Sequence, residues 1–140
     1  MKFVLLELQV NANEELGILV YDYASLNQAK SSFHTVMANA ELSEIPKHGA
    51  VLLNEEGSLI TSECCFHGNG YNPDKFIVLE IQVNNDESIG TLNSSFVNQF
   101  QAESAYYTVL ASAAISALPK HSAVILTDSG NIVASRCYKH

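Results

Sequence analysis

The sequence predicts an α+β protein: a tandem duplication of a ββαββ unit, each antiparallel sheet covered by one helix, the two units related by a pseudo-twofold axis. Three observations carry this. Shifting the chain by 73 residues lays Lys2–His67 on Lys75–His140 without a gap, with 28 identities in 66 aligned pairs, and self-similarity at a fixed offset marks a repeated supersecondary unit. In each copy, apolar residues at period 2 flank a single stretch at period 3.6. That stretch opens both times with capping-box spacing. The expected organisation is a first repeat over residues 1–67, a linker over 68–74 rich in Gly, Asn and Pro, and a second repeat over 75–140.

Each element follows from its residues. Val4, Leu6, Leu8 and Val10 alternate with Phe3, Leu5, Glu7 and Gln9, and Ile77, Leu79, Ile81 and Val83 repeat the pattern, so each copy begins with a strand that has a buried face. Gly17 and Gly90 mark a turn into a second strand carrying Leu19, Tyr21 and Tyr23, or Leu92, Ser94 and Phe96. The weakest of these is the one containing Asn93-Ser94-Ser95, residues that disfavour strands. Ser25-x-x-Gln28 and Asn98-x-x-Gln101 then start helices. Ala29, Phe33, Val36, Met37 and Ala40, matched by Ala102, Tyr106, Val109, Leu110 and Ala113, form one apolar stripe. Pro46 and Pro119 end the helices by disfavouring helical geometry in the residue before them. Ala50–Leu53 and Ala123–Leu126 are third strands, with Gly57 and Gly130 placed in the hairpin turns that lead to Leu59–Phe66 and Ile132–Tyr138.

Composition bounds the function. At 140 residues and 47% hydrophobic content the chain can bury a core. Seven basic against 15 acidic residues, a formal charge of −8, argue against a nucleic-acid partner and against an anionic membrane surface. The acidity is uneven, with 9 acidic residues in the first copy and 5 in the second. No run is long enough to span a bilayer or to act as a signal peptide. Three cysteines, two of them adjacent, make no disulfide framework, so a cytoplasmic setting is expected.

No established catalytic signature is present, and neither an enzyme activity nor a cofactor is expected. Cys64-x-x-His67 and Cys137-x-x-His140 supply a zinc-like ligand set, but residues three apart on a strand point to opposite faces, so no metal is expected. Glu7 with Gln9 and Glu80 with Gln82 survive duplication unchanged. They either line a symmetric ligand groove or form cross-strand pairs. Lys47-His48 and Lys120-His121 are candidate anion contacts, with a structural role at the start of a strand as the alternative. On the helix backs, Ser31, Thr35 and Ala38 recur as Ser104, Thr108 and Ala111, joined in the second copy by Tyr107. Small residues there permit close helix contact, within the chain or between chains, or simply face solvent.

The run Tyr106–Leu126, with Gly130 and Cys137-Tyr138-Lys139-His140, resembles a group of small proteins encoded by phages and prophages of Gram-positive bacteria that have no assigned activity. The resemblance implies a phage or prophage setting, and with it the cytoplasm of a bacterial host cell, and assigns no catalytic residues. The expected function is that of a non-enzymatic interaction or assembly protein with a protein partner or a second copy of itself. The alternative is a small-ligand binder whose pocket lies between the repeats.

Overall fold

The computed structural model describes residues 1–68 and 74–140; most of the expected 68–74 linker lies outside the described residues. The order is β1 (Phe3–Val10), β2 (Leu16–Tyr23), α1 (Leu26–Leu42), β3 (Lys47–Asn54), β4 (Leu59–Phe66), β5 (Phe76–Val83), β6 (Ile89–Phe96), α2 (Gln99–Ala114), β7 (Lys120–Thr127) and β8 (Ile132–Lys139). Two antiparallel sheets result, ordered β2-β1-β3-β4 and β6-β5-β7-β8. The ββαββ unit therefore occurs twice, with both helices starting where expected and ending at Leu42 and Ala114, short of Pro46 and Pro119. Ser25 caps α1 by accepting from the Gln28 amide, and Asn98 caps α2 by accepting from the Phe100 and Gln101 amides.

The central strands show how the layers stack. In β1, Leu5 packs with Ala50 and Leu52 of β3 under Ala29, Phe33, Met37 and Ala40 of α1. Val4, Leu6 and Leu8 point the other way and, with Val51 and Leu53, meet Ile77, Leu79, Ile81, Val124 and Leu126 of the second sheet. Val78, Ala123 and Ile125 lie under Ala102, Tyr106 and Leu110 of α2. The layers are therefore helix, sheet, sheet, helix. The small residues on the helix backs offered a close helix contact within the chain; the structure instead joins the units sheet face to sheet face. The reason is that β1, β3, β5 and β7 are apolar on both faces, and one helix covers only one of them.

The helix backs face outward rather than into a helix contact within the chain. Ser31, Thr35, Ala38, Ser104, Tyr107, Thr108 and Ala111 are all exposed on the outer surfaces, and Ala114 and Ile115 are exposed with them, so α2 is not buried on both sides. The identity of these residues in the two copies has a local cause. Thr35 donates its hydroxyl to Ser31 O at 3.1 Å and Thr108 to Ser104 O at 2.9 Å, a bond back along the same helix.

The hairpin turns lock the stacking. Gly57 and Gly130 have φ of +82° and +86°, conformations that favour glycine. A Cβ on Gly57 would lie 2.9 Å from Val124 Cγ2, and one on Gly130 would lie 3.3 Å from Val51 Cγ2. Each turn thus presses its bare backbone onto the other repeat. Among the described residues no helix is long and apolar enough to cross a membrane.

Separation of the repeats would uncover Ile77, Leu79, Ile81, Val124 and Leu126, all fully buried in the intact chain. Residues 74–140 expressed alone are therefore expected to form a homodimer through that face. Sedimentation velocity checks this, and a folded monomer at high concentration would contradict it.

Candidate functional site

Strand parity puts Phe3, Leu5, Glu7 and Gln9 on the helix side of β1, with Gln9 opposite His48 and Glu7 opposite Ala50. His48 Nε2 lies 2.7 Å from Glu7 Oε2, and Gln9 Nε2 donates to the same oxygen at 2.9 Å. His121, Glu80 and Gln82 repeat the arrangement in the second sheet. The imidazole N–H groups serve as donors to the carboxylates, and Nδ1 of both histidines is buried without a hydrogen-bond partner. The side chains of His48 and His121 are only 6% and 5% exposed. Each set ties β1 to β3, or β5 to β7, at the end of the sheet that the helix leaves.

This placement corrects the groove expectation. Because Glu7 and Gln9 face α1 while Glu80 and Gln82 face α2, the inter-sheet core separates the two sets, and they cannot line a common groove between the repeats.

Lys47 and Lys120 are on the opposite strand faces and point to the other repeat. Lys47 Nζ is 2.7 Å from Asp74 Oδ1 and 3.0 Å from Asp128 Oδ1, with the Lys47 side chain 3% exposed. Lys120 Nζ is 2.8 Å from Glu56 Oε2 and 3.8 Å from Glu55 Oε2. Glu55 and Asp128 are equivalent positions, and each also accepts a backbone amide, from Lys2 and Lys75 respectively. The ion pairs are therefore reciprocal across the pseudo-twofold. The additional acid is not: Asp74, held also by Ser129, serves Lys47, whereas on the other side Glu56 occupies the position of Ser129 and bridges Lys120 to Lys139. Neither lysine head is available as an independent anion contact.

Burial would lower the Lys47 pKa, but the hydrogen bonds it donates to Asp74 and Asp128 outweigh it and hold the ammonium above its ordinary value. Asp74 is also shielded by burial, yet its bonds to Lys47 and Ser129 bring it below the usual carboxylate range. Burial pushes Asp128 the other way, up. With Lys47 at 3.0 Å and the Lys75 amide on its other oxygen, the charged pair is the state this geometry supports.

Pseudo-equivalent acids at Glu55 and Asp128, facing the repeated lysines, were the sequence signal for these contacts, and the reading of single motifs passed over them. The histidines at each repeat's end, read in the sequence only as half of a zinc-like set, serve the helices instead. His67 Nε2 lies 2.8 Å from Ala40 O and His140 Nε2 3.0 Å from Ala113 O, so each ring caps a helix C-terminus. Burial pushes the Cys64 thiol up to about 11, leaving it protonated and a poor metal ligand at neutral pH. No cluster of three or more His, Cys, Asp or Glu able to hold a metal occurs among the described residues.

One cleft, of about 660 Å³, does lie between the repeats. Its walls include Lys2 and Glu55 from the first repeat and Asn84, Asn85, Glu87 and Lys120 from the second. Of the eight candidate ligand residues, Lys120 alone borders it. No protein-family model, curated protein or solved structure matches the chain.

Two measurements check this account. Glu7→Ala removes the carboxylate acceptor for His48 and leaves the buried ring only Gln9 Nε2, 3.3 Å from its Nε2, as a side-chain partner, a change expected to cost about 1–3 kcal/mol, with a similar cost for Glu80→Ala. Urea denaturation of both variants reads it. Lys120 and Lys139 hold the Glu56 carboxyl below its ordinary 4.5. A carboxylate depressed by folding stabilises above its unfolded pKa and loses that contribution as pH falls through the folded value. Glu56→Gln should therefore lower the Tm at pH 7, and its difference from wild type should shrink below pH 4.5.

Proposed function

We propose that this chain is a non-enzymatic protein-interaction or assembly protein whose contact surface is the outer face of α2. The observation that carries the reading is a helix stripe directly opposite the buried one. Phe100 and Tyr107 are 80% and 64% exposed, Ile115 just past the helix end is 88% exposed, and between them lie the small exposed residues Ser104, Thr108 and Ala111. Large apolar groups around a low centre suit a protein surface that approaches closely. At the positions equivalent to Phe100 and Tyr107 α1 carries Asn27 and His34, while Leu42, the counterpart of Ile115, is just as exposed, so the aromatic part of the feature belongs to one repeat. Against an enzyme stands the burial of both histidine–carboxylate pairs, which gives a substrate no access to the imidazoles. The phage or prophage setting implied by the sequence resemblance is part of the same proposal.

The inter-repeat cleft favours a second reading, a small-ligand binder, since its volume falls in the range of ordinary ligand sites. A molecule retained in native mass spectrometry and lost on Glu87→Lys would favour it.

The α2 reading is tested by placing a photo-crosslinking residue at position 107 or, as a control, at position 34, in cells of the host. A defined adduct is expected at 107 and not at 34; equal or absent labelling overturns the reading. Because Ala111 is exposed, Ala111→Leu should change stability by less than about 0.5 kcal/mol. A larger loss of Tm would show that the back of α2 is packed.

A further inference from the structure

The flank of α2 that meets β8 bears on which partner the α2 surface fits. The rings of Tyr106 and Tyr107 meet edge to face, with centroids 5.3 Å apart. Behind them, Arg136 and Tyr138 stand on the helix side of β8, opposite Ala123 and His121, and the Tyr106 hydroxyl is within electrostatic reach of Tyr107, Arg136 and Tyr138 together. The Arg136 guanidinium rests over the Tyr138 ring, 5.1 Å from its centroid. Arg136 is exposed, and among the described residues no carboxylate pairs with it. Glu103, the only acid of α2, accepts instead from Gln99 Nε2 at 3.1 Å.

The first repeat has the same flank without this feature. Phe33, His34, Glu63 and Cys65 hold the equivalent positions, and Cys65 Sγ donates to Glu41 at 3.4 Å, so an acid of α1 bridges helix and strand. In the second repeat Glu41 is replaced by Ala114 and Glu63 by Arg136. Protection of a strand edge accounts for a charge at 63 and at 136 alike, but it does not set the sign.

We propose that the α2–β8 flank takes an acidic segment of another protein, which lays an apolar side chain against Tyr107 and sets an Asp or Glu carboxylate on Arg136. The inference rests on the α2 reading and adds the chemistry of the partner. Charge complementarity carries it. A guanidinium held over an aromatic ring gives up less side-chain freedom on binding, and its N–H fork remains able to grip a carboxylate through two charge-assisted bonds. Tyrosine and arginine are also the residue types that anchor protein interfaces. The equivalent flank of the first repeat, with Glu41 and Glu63, repels the same segment, so the two outer faces sort partners by sign.

The test places p-benzoylphenylalanine at position 107 in host cells and compares the adduct yield in the otherwise unchanged chain with that in Arg136→Glu, Arg136→Lys and, as a control, Glu63→Arg. Arg136→Glu should lower the yield roughly tenfold or more, because a like-charge contact replaces a charge-assisted one. Arg136→Lys should retain part of it, and Glu63→Arg should leave it unchanged. Circular dichroism checks the fold of each variant; Arg136→Gln reads the same contact in a milder form if charge reversal perturbs it. Mass spectrometry of the adduct should place an Asp or Glu beside the attachment point on the partner. An undiminished yield in Arg136→Glu, an attachment peptide without an acid, or one from a second copy of this chain overturns the inference and leaves the α2 reading standing. Absence of an adduct at 107 in the otherwise unchanged chain overturns both.

Discussion

The contact on which the rest of this structure depends is the one between the two sheets. Ten fully or almost fully buried aliphatic side chains from β1, β3, β5 and β7 form a single core shared by both repeats. It is sealed by Lys47 and Lys120, each reaching a carboxylate on the other repeat. The apolar part supplies the drive, since burial of aliphatic surface is worth about 25 cal/mol per Å² and carries no directional preference. The ion pairs add direction. A buried lysine that misses its acid is costly, so Lys47 disfavours any sliding of one sheet over the other that would carry it from Asp128.

With the inner faces committed to each other, the other features take their positions. The helices must lie outside, and the polar sets Glu7-Gln9-His48 and Glu80-Gln82-His121, being on the helix sides of their strands, lie far apart on opposite faces. What the two repeats share at their junction is instead a cleft bordered by the first repeat's start and the β5–β6 turn. The pseudo-twofold is thus accurate in the core and in the lysine–acid contacts and breaks down at the periphery, where Asp74 on one side and Glu56 on the other supply the second carboxylate.

The duplication, the ββαββ order and the helix stripes were legible because each rests on local periodicity. Ser25 and Asn98 cap as their spacing indicates, and even Asn93-Ser94-Ser95 forms a strand, since pairing with β5 outweighs its weak intrinsic preference. The stacking was harder to see because it depends on a second face. Phe3-Val4-Leu5-Leu6 and Ala50–Leu53 are apolar without interruption, a pattern of strands covered on both sides, yet alternation with Glu7 and Gln9 drew attention to one face only. Glu7 and His48 are 41 residues apart, and Lys47 and Asp128 are 81 apart, so their meeting is set by register and by the pseudo-twofold rather than by spacing.

Identity between the copies therefore has several causes, and they leave different traces. Val51 and Val124 stay alike because each faces the opposite hairpin turn, whose glycine leaves room for it. Ser31 and Thr35 match Ser104 and Thr108 through bonds confined to one helix turn, with no surface contact required. Glu63 and Arg136 differ in sign although their backbone settings are the same, opposite Ala50 and Ala123. Packing against the chain's own core does not call for that inversion, because both side chains are exposed. In a duplicated protein, identity between the copies therefore marks either the shared interior or a bond within one helix, and by itself it does not mark a surface that meets another molecule.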